Sequence, residues 1–205
     1  AGRSGWIKEN ADRGLATWRD AAETGDDRGQ VLYGCCLIFG HGVELDNETA
    51  VEWFRKAAEQ GNSQGQFSLG QCYSHGDGVA ENDEAAVEWF LKAAEQGNSS
   101  AQCNLGRCCL HGHGVEQNEP KAVEWFRKAA EQNDADACFD LAQCYATGNG
   151  VQRDTTIARE WAQKSADNGN EYASEWLEKD ECFALLTVDL AEQLCADWAS
   201  DEEYN

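Results

Sequence analysis

The apolar residues of this 205-residue chain recur with a period of 36 residues. The segment AVEWFRKAAEQGNS returns with some changes in three later copies, and the four copies occupy 50–63, 86–99, 122–135 and 158–171. Ala50, Trp53, Phe54, Ala57 and Ala58 are spaced as on one face of a helix, which predicts a single buried stripe. A related segment precedes each copy, beginning at 33, 69, 105 and 141. A fixed period of this length predicts tandem helix-turn-helix units.

The segment between the two helices of each unit contains two glycines that flank one residue. This spacing predicts a tight turn with positive φ angles, at Gly40/Gly42, Gly76/Gly78, Gly112/Gly114 and Gly148/Gly150. A short polar residue that suits an N-cap precedes each second helix: Asp46, Asn82, Asn118 and Asp154. A glycine or asparagine that suits a helix stop follows it: Gly61, Gly97, Asn133 and Gly169.

The solvent face of each second helix carries glutamate and lysine four residues apart. The pairs are Glu52–Lys56, Glu88–Lys92, Glu124–Lys128 and Glu160–Lys164. Charges at this spacing and in this order stabilise a helix by a few tenths of a kcal/mol, roughly, for each pair. The pattern predicts four exposed ion pairs.

Equivalent positions of the four copies, 36 residues apart, form columns. These columns resemble the Sel-one-like repeat, a relative of the tetratricopeptide repeat, with its pattern LG..Y..G.GV followed by KA..W...AA..G. Three positions depart from that pattern, with Cys109 for an aromatic residue, Ala142 for glycine and Ala162 for phenylalanine. The resemblance implies an all-α fold: a right-handed α-α superhelical solenoid of stacked helix-turn-helix repeats, about eleven helices in all. It also implies that the first helices line a concave face, and that the chain is an adaptor or scaffold without enzymatic activity.

The repeats and their flanks divide the chain into seven segments. They are an N-terminal segment with a half-repeat capping helix (1–28), the repeats 29–64, 65–100, 101–136 and 137–172, C-terminal capping helices (173–200) and an acidic tail (201–205). In the C-terminal part five apolar residues lie along one helical face: Phe183, Leu186, Leu190, Leu194 and Trp198. A cap that hides the last stacking surface is the favoured interpretation. The alternative is an amphipathic arm for a partner or for a second copy.

The net charge of the chain is -22, with 16 basic and 38 acidic residues. Such a surface repels phosphate backbones and anionic lipids, which excludes nucleic acid as an expected partner and favours a protein or peptide with a basic surface. The alternative is that the acidity only maintains solubility. No apolar run approaches 18 residues, so no membrane insertion is expected. The chain contains no methionine, so we expect a processed or excerpted N-terminus, and the compartment stays open.

Cysteines form one of the 36-residue columns, at Cys36, Cys72, Cys108 and Cys144. Stacked helices lie about 8–10 Å apart, whereas a disulfide needs Cα atoms within about 7 Å. The column therefore predicts small, buried, reduced thiols, which weakly favours a reducing compartment. Pairing among the remaining cysteines stays open: Cys35, Cys103, Cys109, Cys138, Cys182 and Cys195.

Two Cys-x-x-His pairs suggest a zinc site, at Cys72/His75 and Cys108/His111. The column argues against it, because Cys36 and Cys144 occupy the same position without a histidine three residues later. No cofactor, metal ion or catalytic residue is predicted.

Positions that vary between copies on the first helices are the candidate partner contacts. They are Gln64, Phe67, Gln71, His75, Ser100, Arg107, His111, Asp136, Phe139 and Gln143. Such side chains suit hydrogen bonds to an extended peptide or to a helix; the alternative is an unconstrained surface. The sequence thus favours a non-catalytic scaffold or adaptor for protein-protein interaction. A permanently bound accessory subunit of a larger complex is the second hypothesis, and a Cys/His metal protein or enzyme is a remote third.

Overall fold

The structure is a computed structural model and describes residues 14–179. Within that range ten α-helices follow one another without a strand. They are α1 (14–23), α2 (Asp27–Phe39), α3 (Asn47–Glu59), α4 (Ser63–His75), α5 (Asp83–Glu95), α6 (Ser99–His111), α7 (Glu119–Glu131), α8 (Ala135–Thr147), α9 (Thr155–Asp167) and α10 (171–179). Most of the predicted C-terminal cap, with its five apolar residues, lies outside the described residues, as does the acidic tail.

The helices stack in chain order. From α2 to α9 each helix packs on the next, and the first helices of neighbouring repeats also touch, α2 on α4 and α6 on α8. We call α2, α4, α6 and α8 the A helices, and α3, α5, α7 and α9 the B helices. The predicted all-helical solenoid of four helix-turn-helix repeats is confirmed.

The helix α1 lies where a B helix would lie in a preceding repeat. Gly29 at the start of α2 packs against Ala21 and Ala22 of α1, as Gly65 of α4 packs against Ala57 and Ala58 of α3. The buried Gln30 donates to the Ala22 carbonyl, and its counterpart Gln66 donates to that of Ala58. The solenoid is therefore continuous through α1.

The predicted caps and turns are confirmed. Asp46, Asn82, Asn118 and Asp154 each accept a backbone hydrogen bond at the start of a B helix. The A helices have equivalent caps that the sequence pattern did not single out: Asp26, Asn62, Asn98 and Asp134. All eight turn glycines have positive φ angles, as do the four B-helix stops.

The second turn glycine is needed for a further reason, which is a close approach between repeats. A Cβ on Gly78 would overlap the backbone of Asn47, the first residue of α3 in the previous repeat. The same approach joins Gly114 to Asp83 and Gly150 to Glu119. These three turns therefore pack on the start of the preceding B helix, and any side chain there would separate the two repeats.

A glycine on each of the first three A helices packs against a phenylalanine of the B helix in the same repeat. A Cβ on Gly70 would lie 2.7 Å from the Phe90 ring, and Gly34 and Gly106 meet Phe54 and Phe126 in the same way. In the fourth repeat both partners change together, to Ala142 and Ala162, and both alanines are fully buried. The extra methyl group on the A helix is accommodated because the ring is absent.

The predicted ion pairs on the B helices are wrong. None of the four Glu–Lys pairs comes within 4.0 Å in the described part of the chain. Each lysine ammonium instead lies over the tryptophan three residues earlier, at 3.8, 3.8, 4.0 and 5.0 Å from the ring centroid for Lys56, Lys92, Lys128 and Lys164. The half-buried indole offers its face to the cation, whereas an exposed glutamate offers attraction weakened by water.

A ladder of glutamine pairs runs along the solenoid, and each pair joins the A and B helices of one repeat. Gln66 accepts a hydrogen bond from Gln96 (2.7 Å), and Gln30–Gln60 and Gln102–Gln132 repeat the contact at 2.8 and 2.9 Å. In the fourth repeat Cys138 replaces the buried glutamine. In the third repeat Gln102 donates to the Ala94 carbonyl. The equivalent carbonyl at the fourth repeat, that of Ala130, accepts a hydrogen bond from Lys164 (2.8 Å). The buried carbonyl is thus satisfied by another residue.

None of the helices in residues 14–179 is both long enough and apolar enough to span a lipid bilayer.

The glycine–phenylalanine contact predicts a coupled effect on stability. Gly70→Ala is expected to lower the free energy of unfolding by about 1–3 kcal/mol, because the added methyl group overpacks the interface with Phe90. In a Phe90→Ala background the same change is expected to be neutral or to stabilise by up to about 1 kcal/mol, since alanine is the better helix former. Urea unfolding of the four proteins in a double-mutant cycle measures the coupling.

The fourth repeat supplies the matched control, because it already carries both alanines. Ala162→Phe should destabilise the chain more in the presence of Ala142 than with Ala142→Gly. Equal costs of Gly70→Ala in both backgrounds would show that the ring does not constrain position 70.

Candidate partner-binding groove

The A helices form an open groove at the first two repeats, which we call the proximal groove. Its volume is about 520 Å³, and its lining includes Cys35, Ile38, Phe39, Phe54, Gln64, Phe67, Ser68, Gln71, Cys72, His75, Asp77 and Ser100. Five of the ten predicted contact residues are in this lining: Gln64, Phe67, Gln71, His75 and Ser100.

The floor of the proximal groove is apolar and partly uncovered. Phe39, the last residue of α2, is 50% exposed and stacks on His41, with ring centroids 5.5 Å apart. Phe67 of α4 is held from below by Phe90, with centroids 6.0 Å apart. Phe39 was not among the predicted contacts, although it is the one aromatic residue in its column, where His75, His111 and Thr147 follow. The change from Phe39 to His75, His111 and Thr147 in the later copies was the sequence signal that could have identified Phe39 as a contact residue.

Amide side chains form the polar part of this lining. The side chains of Gln64 and Gln71 make no hydrogen bond within residues 14–179 and are half-buried. His75 lies at the end of α4 with Nδ1 2.9 Å from the Gln71 carbonyl oxygen. Among the described residues that line the groove, none is a lysine or an arginine, and Asp77 carries the carboxylate. The arrangement offers both donors and acceptors beside an apolar floor.

A smaller groove of about 210 Å³ lies farther along the A helices, which we call the distal groove. Six of its eight lining residues are polar, and the lining consists of Arg107, Leu110, His111, Asp140, Gln143, Cys144, Thr147 and Asn149. Three more predicted contacts, Arg107, His111 and Gln143, are therefore in it. The remaining two, Asp136 and Phe139, lie on α8 outside both linings; Asp136 is exposed and Phe139 half-buried.

Arg107 was predicted as a partner contact, but its guanidinium is bound within the chain. Its Nε donates to Oδ2 of Asp140 (2.7 Å), and the Cys103 thiol donates to the same oxygen (3.4 Å). Burial raises the pKa of the Asp140 carboxyl, although the charge of Arg107 and both hydrogen bonds act to lower it. Asp140 was missed because its column (Leu32, Ser68, Asn104) shows no charge in the other copies.

The charged residues concentrate away from the A helices. Apart from its terminal histidine α4 has no charged residue, and α6 has only Arg107, whereas every B helix carries at least two acidic residues. The A-helix surface is therefore nearly neutral at its centre, and the strong acidity of the chain is displayed mainly elsewhere.

The Sel1 repeat family model matches four consecutive segments, residues 27–62, 63–98, 99–134 and 135–170. The chain belongs to the Sel1 repeat family. These segments begin two residues before the repeats as divided from the sequence, at the first residues of the A helices. Sel1 repeats are commonly scaffolds for protein interaction, and the family is generally non-catalytic.

Solved structures of Sel1 repeat proteins are similar to this chain. A protective antigen of uropathogenic Escherichia coli with this fold is 37% identical, with a TM-score of 0.74 over 80% of this chain and 35% of its own. A Sel1 repeat protein from Oxalobacter formigenes is 31% identical, with a TM-score of 0.69 over 86% of this chain and 59% of its own. The chain thus spans only part of both relatives.

Cysteine-rich protein B of Helicobacter pylori shares the fold at 24% identity, with a TM-score of 0.51 over 64% of this chain and 94% of its own. No curated protein sequence matches the chain.

No disulfide bond joins the cysteines in the described part of the chain, and Cys182 and Cys195 lie outside it. Burial of the predicted column is confirmed for Cys36, Cys72 and Cys144, while Cys108 is half-buried. Burial raises the pKa of Cys36 to about 11, of Cys72 to about 12 and of Cys144 to about 11. These thiols are protonated at neutral pH and are poor nucleophiles and poor metal ligands.

Within residues 14–179 no group of three histidine, cysteine, aspartate or glutamate side chains is arranged to hold a metal ion.

The column thiols predict a loss of stability at alkaline pH. An unfolded chain releases thiol protons at about pH 8.5, whereas native Cys36 holds its proton to about 11. Between these values the unfolded state binds fewer protons, so the free energy of unfolding falls as the pH rises. Melting temperatures across this window measure the slope. The Cys36→Ala/Cys144→Ala variant is the control, since lysine and tyrosine titrate in the same range. We expect a smaller slope in that variant, and an unchanged slope would exclude Cys36 and Cys144 as its cause.

The Arg107–Asp140 pair predicts a second coupling. Arg107→Ala leaves the Asp140 carboxylate, 17% exposed, without its cation. Because Arg107 is itself 44% exposed and screened by water, the expected loss of unfolding free energy is about 1 kcal/mol, less than for a fully buried pair. Asp140→Asn in the same chain should restore part of it in urea unfolding. If Asp140→Asn restored nothing, the ion pair would have no part in stability.

Proposed function

We propose that this chain is a non-catalytic interaction scaffold that binds a protein or peptide along its A helices. The observation that carries the proposal is the proximal groove, where a half-exposed aromatic residue, Phe39, lies beside side-chain amides that make no hydrogen bond within residues 14–179. Water wets an exposed ring poorly, and a partner that covers it gains free energy. Family membership supports the same function.

The alternative function is that of a permanently bound accessory subunit. The charge distribution favours a different binding surface for that function. The turns and B helices of the first two repeats are the part that suits a basic partner surface, because α3 and α5 carry net charges of -1 and -3 and the turns 40–46 and 76–82 carry -2 each, whereas α7 and α9 are net neutral. Binding there is expected to weaken with salt, because the Debye length shrinks from about 10 Å at 0.1 M to about 3 Å at 1 M. Binding in the nearly neutral proximal groove should be much less sensitive.

Affinity capture with two charge-matched variants tests the proposal. Gln71→Glu/His75→Glu places two carboxylates in the proximal groove, whereas Gln117→Glu/Gln152→Glu places two on exposed turns outside it. We expect the groove variant to lose at least nine tenths of the captured partner and the turn variant to retain it, at low and high salt alike. Circular dichroism checks that both variants fold.

Two results would contradict the scaffold proposal as stated. Equal capture by both variants would show that the groove is not the binding surface. Salt-dependent loss of the partner from the wild type and both variants would favour the acidic surface and the accessory-subunit alternative.

A further inference from the structure

The polarity of the A-helix surface changes from one end to the other. Ile38, Phe39 and Phe67 supply large apolar side chains at the proximal groove. Asp136 and Asp140 supply carboxylates at the distal end, on α8. The same columns therefore carry different chemistry in different repeats, and a bound segment would meet an apolar floor first and negative charge two repeats later.

The proximal groove suits a large apolar side chain. Phe39 and Phe67 line it together, and the buried thiols of Cys35 and Cys72 complete the floor. A volume of about 520 Å³ exceeds what a single side chain fills, so the groove also has room for the backbone on either side. An aromatic or large aliphatic residue is the group that gains most by covering a half-exposed ring.

The middle of the surface suits an extended backbone. Gln64, Gln71 and Ser100 each carry a donor and an acceptor, and Gln64 and Gln71 leave theirs unused within residues 14–179. An extended segment has unpaired N–H and C=O groups that match such side chains. A helix satisfies these groups internally, and the lining would then gain little from its backbone.

The distal end suits a cation. Arg107 is neutralised by Asp140, so its charge is not available to attract an acidic residue. Asp136 is exposed, accepts a hydrogen bond from Asn170 (2.9 Å), and lies near enough to raise the pKa of Asp140 by charge repulsion. Two carboxylates against one guanidinium leave a net negative charge, which a lysine or arginine of the partner would balance.

We propose that the two grooves hold one extended segment of a partner protein, with a large apolar side chain between α2 and α4 and a lysine or arginine beside Asp136 and Asp140. Adjacent A helices lie about 8–10 Å apart, and from midway between α2 and α4 to α8 is two and a half such steps, so the two anchors are about 20–25 Å apart. An extended chain advances about 3.3 Å per residue, which separates the apolar and basic residues by about six to eight positions. This inference rests on the proposed function and specifies the segment that the scaffold recognises.

Random dodecapeptides displayed on phage, selected on the immobilised full chain, test the proposal without a known partner. Enriched peptides are expected to carry an aromatic or large aliphatic residue and a basic residue about six to eight positions apart. Fluorescence anisotropy with one such synthetic peptide gives the affinities. Alanine at its apolar position should weaken binding to the wild type at least tenfold, and Phe39→Ala in the chain should weaken binding of the unaltered peptide at least fivefold.

The basic anchor is tested by a cycle between peptide and protein. Asp136→Asn should weaken the peptide about threefold or more, and should have no effect on the same peptide with alanine in place of its basic residue. The turn variant Gln117→Glu/Gln152→Glu is the control and should bind as the wild type does. The half-exposed position of Phe39 and the exposed position of Asp136 let both variants fold.

Three outcomes would overturn the inference: enrichment of acidic peptides or of none, binding that Phe39→Ala leaves unchanged, or a Phe39-dependent dimer in sedimentation experiments, which would make a second copy of the chain the occupant. Each leaves the scaffold proposal testable, because partner capture by the groove variant is a separate measurement. Groove-dependent capture together with failed peptide selection would retain the scaffold and reject this segment.

Discussion

The close contact between a glycine of the A helix and a phenylalanine of the B helix sets the geometry on which the other contacts depend. At Gly34, Gly70 and Gly106 the absence of a side chain lets the ring lie directly on the helix backbone. The turn glycines do the same between repeats, where Gly78, Gly114 and Gly150 lie against the preceding B helix. Because these columns and the buried core residues fix the stacking, the A-helix positions that face the grooves have few packing roles and are available for recognition.

The fourth repeat shows how that constraint is met by other residues. Ala142 adds a methyl group to the A helix, and Ala162 removes the phenylalanine ring from the B helix. The methyl group is accommodated where the ring is absent, and both alanines are buried. At the same boundary Cys138 removes an amide from the glutamine ladder, and Lys164 donates to the carbonyl left behind. Paired changes of this kind keep density and hydrogen bonding satisfied together. They explain why the repeat pattern weakens at its end while the solenoid continues.

The helices, caps and turns were predictable because they depend on neighbours within one repeat, and four copies repeat the same local evidence. The ten proposed contacts came from the same comparison, and eight of them line the two grooves. What the sequence could not show were contacts between residues that vary. Arg107 and Asp140 lie 33 residues apart in columns without a recurring charge, so no internal copy pairs them. The lysines were misassigned because charge pairing and contact with an indole ring differ by less than 1 kcal/mol or so.

The acidic surface and the proximal groove lie on different parts of this chain. This separation determines how the two surfaces would act together on a partner. The acidic turns and B helices of the first two repeats raise the rate at which a basic partner approaches, since attraction between unlike charges acts over about a Debye length. Such attraction contributes little to the lifetime of a complex, which depends on desolvated contacts. In this chain those contacts are offered by Phe39, Phe67 and the amides between them. A basic segment with one apolar anchor would use the first surface to arrive and the second to remain bound, and a salt-dependent association rate with a salt-independent dissociation rate is the kinetic consequence of that arrangement.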